Sequence, residues 1–346
     1  MILDGRTDPL LLFALAVIGF DFVVYFSRAN ISILHRSTSD LPRDFVIWAG
    51  LLAMASIGNL IFSKGGGSFL GLFAFTVPFS ISLLLFERLV ASCGWTNVCM
   101  MLFAYLITIG IYIVYFWGGF GRLVIGAYVL MPVLIADRYR DFGLRTWQAA
   151  VLAPLLLAVA YYSRNNTWAS NELGAGGAGH HLRLTMELFY NPVYEYFGGF
   201  YKLVDQYILL FLNWFPREYW ENKPIGIGYY AVDEWIGRQG LGRVYNVSLG
   251  MFGEQLYTVG PYFIVAWAFV LITLIMLRRV IENLAAGYAA PVIVFDVNMI
   301  NYVWGGAASF GSRAWFFIVP LLMVTSVCRL TERKVAIGVA RQRKHI

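Results

Sequence analysis

Apolar runs of the length a helix needs to cross a bilayer, about 17–25 residues, recur from one end of this chain to the other. They fall roughly at Pro9–Phe26, Phe45–Phe62, Phe69–Phe86, Cys99–Trp117, Phe120–Ala136, Thr146–Ser163, Gln255–Leu277, Gly287–Trp304 and Ala314–Cys328. Lipid offers no partner to a backbone N–H or C=O, so a spanning segment must satisfy its own polar groups, and runs without strict alternation do so as helices. The expectation is an all-α, polytopic transmembrane bundle of about nine spans, with ten or eleven within range. Asp296, Asn298 and Asn301 interrupt the eighth run, and Gly118-Gly119 makes spans four and five a hairpin. The chain is 59% hydrophobic and 13% charged, against roughly a quarter charged in a soluble domain, which excludes an ordinary soluble enzyme. The net charge of +6 is spread over loops with no nucleic-acid-binding stripe.

Basic residues orient the bundle. Arg329, Arg333, Lys334, Arg341, Arg343 and Lys344 crowd the C-terminus, which the positive-inside rule places in the cytoplasm. Counting back through the spans, the same side carries Arg28, Arg36, Arg43, Arg88, Arg138, Arg140, Arg145, Arg278 and Arg279, fifteen cations in all. The short segments opposite hold only Arg6, Lys64, Arg122 and Arg313. The resulting organisation has N-terminal helices over 1–163 and a large outer loop over 164–254. C-terminal helices over 255–328 and a basic cytoplasmic tail over 329–346 complete it. The first apolar run carries Asp21 and lacks a small-residue cleavage pattern, so it reads as a retained helix. Cys93, Cys99 and Cys328 lie on or near the cytoplasmic side and read as small buried residues, so packing and not disulfides holds the outer loop.

That loop has two parts. Residues 163–179 are polar and glycine-rich, ahead of His180 and His181, whereas 182–254 are dense in Tyr, Trp and Phe. Within the second part, Leu203–Phe215 is too short to span and reads as an interfacial or re-entrant helix ending at Pro216. It delivers Phe215-Pro216-Arg217-Glu218-Tyr219-Trp220-Glu221-Asn222-Lys223-Pro224 at headgroup depth. The prolines disfavour a helix, so this is a shaped loop. Arg217 and Lys223 then suit a phosphate or diphosphate, or anchor the loop among aromatics at the lipid interface. Tyr219 and Trp220 offer faces to a sugar or to the membrane interface.

Three further positions carry chemistry. Glu254, at the mouth of the seventh span, is a candidate general base for a hydroxyl, or a solvated acid at a helix N-terminus. Arg122 and Arg313 stand near the outer ends of spans five and nine, where ionisable groups face a cavity or a partner or else snorkel. The placement of Asp296, Asn298 and Asn301 on the neighbouring run favours a polar interior for Arg313. His181 is a second candidate base that needs no pKa shift, although the glycine-rich stretch before it would have to close. Rigid placement favours Glu254 over His181. No third ligand stands at metal-binding spacing from the two histidines, so no metal is expected, and the absence of a Gly-rich phosphate loop speaks against a nucleotide cofactor.

Pro216-Arg217 with Lys223-Pro224 in a large outer loop, Gly250 to Glu254 entering a span, and Gly311-Ser312-Arg313 opening the last span resemble the bacterial O-antigen and oligosaccharide repeat-unit polymerases, the Wzy family. The likeness covers roughly Leu182–Leu322; the N-terminal spans match only as hydrophobic helices, and the chain has fewer spans than many members. The resemblance implies a GT-C-like inner-membrane glycosyltransferase with its site on the periplasmic face. Such an enzyme moves a growing glycan from undecaprenyl diphosphate onto a new undecaprenyl-diphosphate-linked repeat unit. Catalytic roles would fall to Glu254, Arg217 and His181, and substrate binding to Lys223, Arg122, Arg313, Trp220 and Tyr219. Membrane lipid and a chain-length regulator protein are the other partners implied. An O-antigen ligase shares the donor and differs in its acceptor. A transporter or flippase should show paired, interrupted hydrophobic segments, which the sequence lacks, and a scaffold leaves the outer cations without a role.

Overall fold

The structure, a computed structural model, describes residues 69–92, 110, 122–140, 199–231, 249–285 and 287–343. Among these residues every regular element is a helix. Helix α1 is Phe69–Ser92, α2 Arg122–Arg140 and α3 Gly199–Leu212. A 3-10 turn at Arg217–Tyr219 and a single helical turn, α4, at Ile227–Tyr230 follow. Then come α5, Gly250–Val259; a 3-10 turn at Gly260–Tyr262; α6, Phe263–Ala285; and α7, Ala290–Arg343. The third and fifth expected spans are thus helices α1 and α2, and the first, second, fourth and sixth lie outside the described residues.

Among the described residues, two helical stretches are long and apolar enough to cross a membrane, Gly250–Ala285 and Ala290–Ser326. Neither is straight. The first covers the expected Gln255–Leu277 run and breaks at Gly260 and Pro261, where proline has no N–H to continue the ladder. The second covers most of the expected eighth and ninth runs and bends at Gly306. The Phe295 and Phe310 rings sit 5.5 Å apart, although fifteen residues of straight helix measure about 22 Å. The halves of α7 therefore fold back on one another. Glycine is required at the bend, because φ is 74° there, a region costly for side chains with a Cβ.

Helix α7 is the centre of the bundle, packed on by α1, α2, α3, α5 and α6. Phe79 of α1, Tyr128 of α2 and Phe317 of α7 meet as a buried trio with centroids 4.9–5.2 Å apart, the tilted and edge-on packing that aromatic quadrupoles favour. At the start of α7, Glu87 of α1 accepts the N–H of Ala289 at 2.6 Å and that of Ala290 at 2.9 Å. It also receives the hydroxyl of Tyr139 from α2. A buried carboxylate from another helix thereby fills donors that a helix start leaves open.

Helix α3 lies across the second half of α7. Its C-terminal backbone approaches so closely that a Cβ on Gly311 would sit 1.9 Å from the Leu209 carbonyl oxygen, and the Trp315 indole donates to the Leu210 carbonyl at 2.7 Å. The helix stops at Leu212, four residues earlier than the expected end at Pro216. Asn213 closes its last turn, its N–H donating to the Leu209 carbonyl at 3.1 Å.

Candidate functional site

The proline-bracketed segment is a shaped loop, as its sequence suggests. Pro216 is extended and leads into the Arg217–Tyr219 turn. Its shape comes from its own cations. The Arg217 guanidinium donates through Nη1 to the Lys223 carbonyl at 2.7 Å and through Nη2 to the Pro224 carbonyl at 2.8 Å. The Lys223 ammonium donates back to the carbonyls of Asn213 at 2.6 Å and Phe215 at 2.8 Å. Each charge satisfies two carbonyls in a segment with few backbone bonds of its own. Donors are left over: a guanidinium has five N–H groups and an ammonium three. Burial and the nearby Arg217 charge pull the Lys223 pKa down to about 8. Tyr219 is exposed, its ring 6.0 Å from that of Phe215. Trp220 is half-buried and ends the turn.

Glu254 is not a solvated acid. It is 3% exposed, and its Oε2 accepts the Ala307 N–H at 2.8 Å. The carboxyl occupies the space beside Gly306 where a side chain would begin, since a Cβ there would lie 1.8 Å from the Glu254 carboxyl carbon. The bend in α7 and the acid that fills it are one feature. Nearby, Thr258 bonds the Glu254 carbonyl at 2.9 Å, within α5.

Arg313 reaches back across the same bend. Its Nη1 donates to Asn301 Oδ1 at 3.0 Å and to Ser309 Oγ at 2.7 Å. Asn301 bonds the buried Asn298 at 3.0 Å, so the asparagine pair does face Arg313. Asp296, on the same run, has a partner on another helix. It pairs with the buried Arg278 of α6 through two bonds of 2.8 and 3.0 Å. This is the fork-to-carboxylate geometry of a strong ion pair.

Three groups therefore converge on consecutive residues of the bend. Glu254 holds the Ala307 N–H, Asn213 donates through Nδ2 to the Ala308 carbonyl at 2.6 Å, and Arg313 bonds Ser309. Through Asn213 the cationic loop is attached to the same short stretch, and Gly226 packs on Ala308 from the loop's far end. Gln206 of α3 holds the returning chain, bonding the Ile225 carbonyl and the Ile227 N–H at 3.3 Å each. Arg122 begins α2, and His180 and His181 lie outside the described residues.

Beside the loop runs a cavity of about 770 Å³, lined entirely by α3 and by residues between Val259 and Phe269. Phe200, Val204, Phe211 and Leu212 face Tyr262, Val265 and Phe269 across it. Its walls are apolar along the whole of α3, and α3 ends where the Lys223 ammonium is bound. Among the described residues no cluster of His, Cys, Asp and Glu is arranged to hold a metal.

Asn213, Gln206 and Gly306 were not legible as site residues from sequence. An Asn just past an apolar helix is an end signal, and the Gly305-Gly306 doublet inside an apolar run is a breaker signal. Neither says what the residue touches. No protein-family model, curated protein or solved structure matches this chain.

Proposed function

We propose that the chain is a membrane glycosyltransferase that polymerises lipid-linked oligosaccharide repeat units, moving a growing glycan from undecaprenyl diphosphate onto the next lipid-linked unit. The observation that carries this reading is the convergence of the cationic loop, Glu254 and Arg313 on residues 307–309. The reaction needs an anion site for a departing diphosphate and a proton acceptor for the incoming hydroxyl, close together and sheltered from water. Arg217 and Lys223 supply rigid cations with donors to spare, and Glu254 supplies a buried carboxylate. The apolar cavity along α3 fits a prenyl tail whose diphosphate would rest at the loop.

In the reaction, the acceptor hydroxyl oxygen forms a bond to the anomeric carbon as the bond from that carbon to the diphosphate oxygen breaks. The hydroxyl proton passes to Glu254, and the electron pair leaves with undecaprenyl diphosphate. Arg217, Lys223 and Arg313 stabilise the charge that develops there, usually the largest catalytic term. Tyr219, exposed, and Trp220 offer the sugar a stacking face. The same machinery serves a ligase with a different acceptor.

A second reading, a lipid-linked oligosaccharide transporter, is favoured by the broken α7, because interrupted helices with polar groups at the break are how many transporters hold substrate. Purified protein in liposomes, supplied with undecaprenyl-diphosphate-linked repeat units, separates the possibilities. A ladder of longer lipid-linked glycans supports the polymerase. Movement of the lipid-linked unit between leaflets without lengthening supports the transporter, and neither product removes both.

A further inference from the structure

Asn213 bonds both the cationic loop and the bend of α7. Its carbonyl accepts the Lys223 ammonium at 2.6 Å, and its side-chain amide donates to the Ala308 carbonyl at 2.6 Å. One peptide before Ala308, the Ala307 N–H donates to Glu254 at 2.8 Å. A path of short bonds thus runs from an ammonium in the outer loop to a carboxyl buried in the bundle.

We infer that Asn213 is a positioning residue that couples anion capture at Lys223 and Arg217 to the Glu254 carboxyl. The inference rests on the reading of the loop as a diphosphate site. An anionic oxygen competes with the Asn213 carbonyl for the ammonium, because it adds the attraction of a full opposite charge where the carbonyl offers only a dipole. Drawing the ammonium outward loosens its hold on the Asn213 peptide, and the side chain on that same residue carries the displacement to Ala308. The bend is able to respond, because Gly306 carries no Cβ to lock it, and the Glu254 carboxyl lies against it. A filled anion site would in this way adjust the proton acceptor before the acceptor hydroxyl arrives, a coupling between two sites through one shared element.

The test uses the full chain in phosphatidylcholine nanodiscs with farnesyl diphosphate as the probe. Binding is followed by calorimetry, and the Glu254 carboxyl by infrared difference spectra, its band assigned by its loss in Glu254→Gln. The expected result is a shift of that band when farnesyl diphosphate binds to the wild type. The shift should be lost in Asn213→Ala and in Asn213→Asp, while the probe still binds. The aspartate variant keeps the side-chain size and removes the donor, which covers the case of an alanine variant that does not fold. A shift that persists in both variants, or a wild type that binds the probe without a shift, overturns the coupling. A wild type that does not bind farnesyl diphosphate removes the diphosphate reading and the coupling with it. An equal shift caused by phosphatidylglycerol nanodiscs alone keeps the coupling and assigns the site to a headgroup phosphate.

Discussion

The Glu254 carboxyl fills the place beside Gly306 where a side chain would stand, 1.8 Å from the position a Cβ would take, and bonds the next N–H along. Gly306→Ala must therefore evict the acid and also force a residue with a Cβ to hold φ 74°. Backbone strain of this kind costs about 1–3 kcal/mol. Gly287→Ala is the control, having positive φ and open space around it, and should show the strain alone. Thermal unfolding in detergent is expected to fall further for Gly306→Ala, and polymer synthesis to fail only in that variant.

Lys223 gives the proposed anion site a pH limit. With its pKa near 8, the ammonium that a diphosphate requires is lost as pH rises through that value. Farnesyl diphosphate affinity should fall above about pH 8, and the fall should level off only at the higher pKa that a bound anion gives the ammonium. The sign for stability is opposite. The folded value lies below the ordinary 10.5, so the charged form is disfavoured by folding, and the chain gains stability as pH rises from 8 toward 10.5. Affinity that stays flat from pH 7 to 10 removes Lys223 from the site.

Arg217 spans the Lys223 and Pro224 carbonyls, and in the proposed reaction it also meets the donor diphosphate. Arg217→Ala should lower kcat/KM by about 2–4 kcal/mol. Arg217→Lys should also be damaging, since a point charge cannot reproduce a planar fork. Full-length polymer from a normally expressed Arg217→Ala protein ends its assignment to the diphosphate.

Glu254→Gln keeps the acceptor for the Ala307 N–H but cannot take a proton. Turnover on lipid-linked repeat units should fall by about 100-fold or more, with unfolding temperature little changed. His181→Ala should retain activity. The reverse pattern gives the base to His181, and two active variants mean that diphosphate departure alone drives the step.

Topology is checked without an activity assay. Glu221 is exposed in the loop, and a cysteine there, in a chain freed of Cys93, Cys99 and Cys328, should react with an impermeant maleimide in whole cells. A cysteine at Lys344 should react only after lysis. Labelling at the tail but not at the loop inverts the orientation drawn from the basic residues.

The sequence by itself determined that the described elements are helices. Apolar run length dictates helix in a low-dielectric surrounding, whereas the breaks at Gly260-Pro261 and at Gly306 came from the structure. The sequence also singled out Arg217, Lys223, Glu254 and Arg313, because charged groups are scarce in such a chain and each needs a reason to be there. Only the tertiary structure decided their partners. That Asp296 pairs with Arg278, that Glu254 is buried against Gly306, and that Asn213 ties the loop to Ala308 are all contacts between residues 18 to 95 positions apart. Periodicity and composition report on neighbours along the chain. Which distant helices touch is set by how the bent α7 lets α3 and α5 approach, and that is a property of packing.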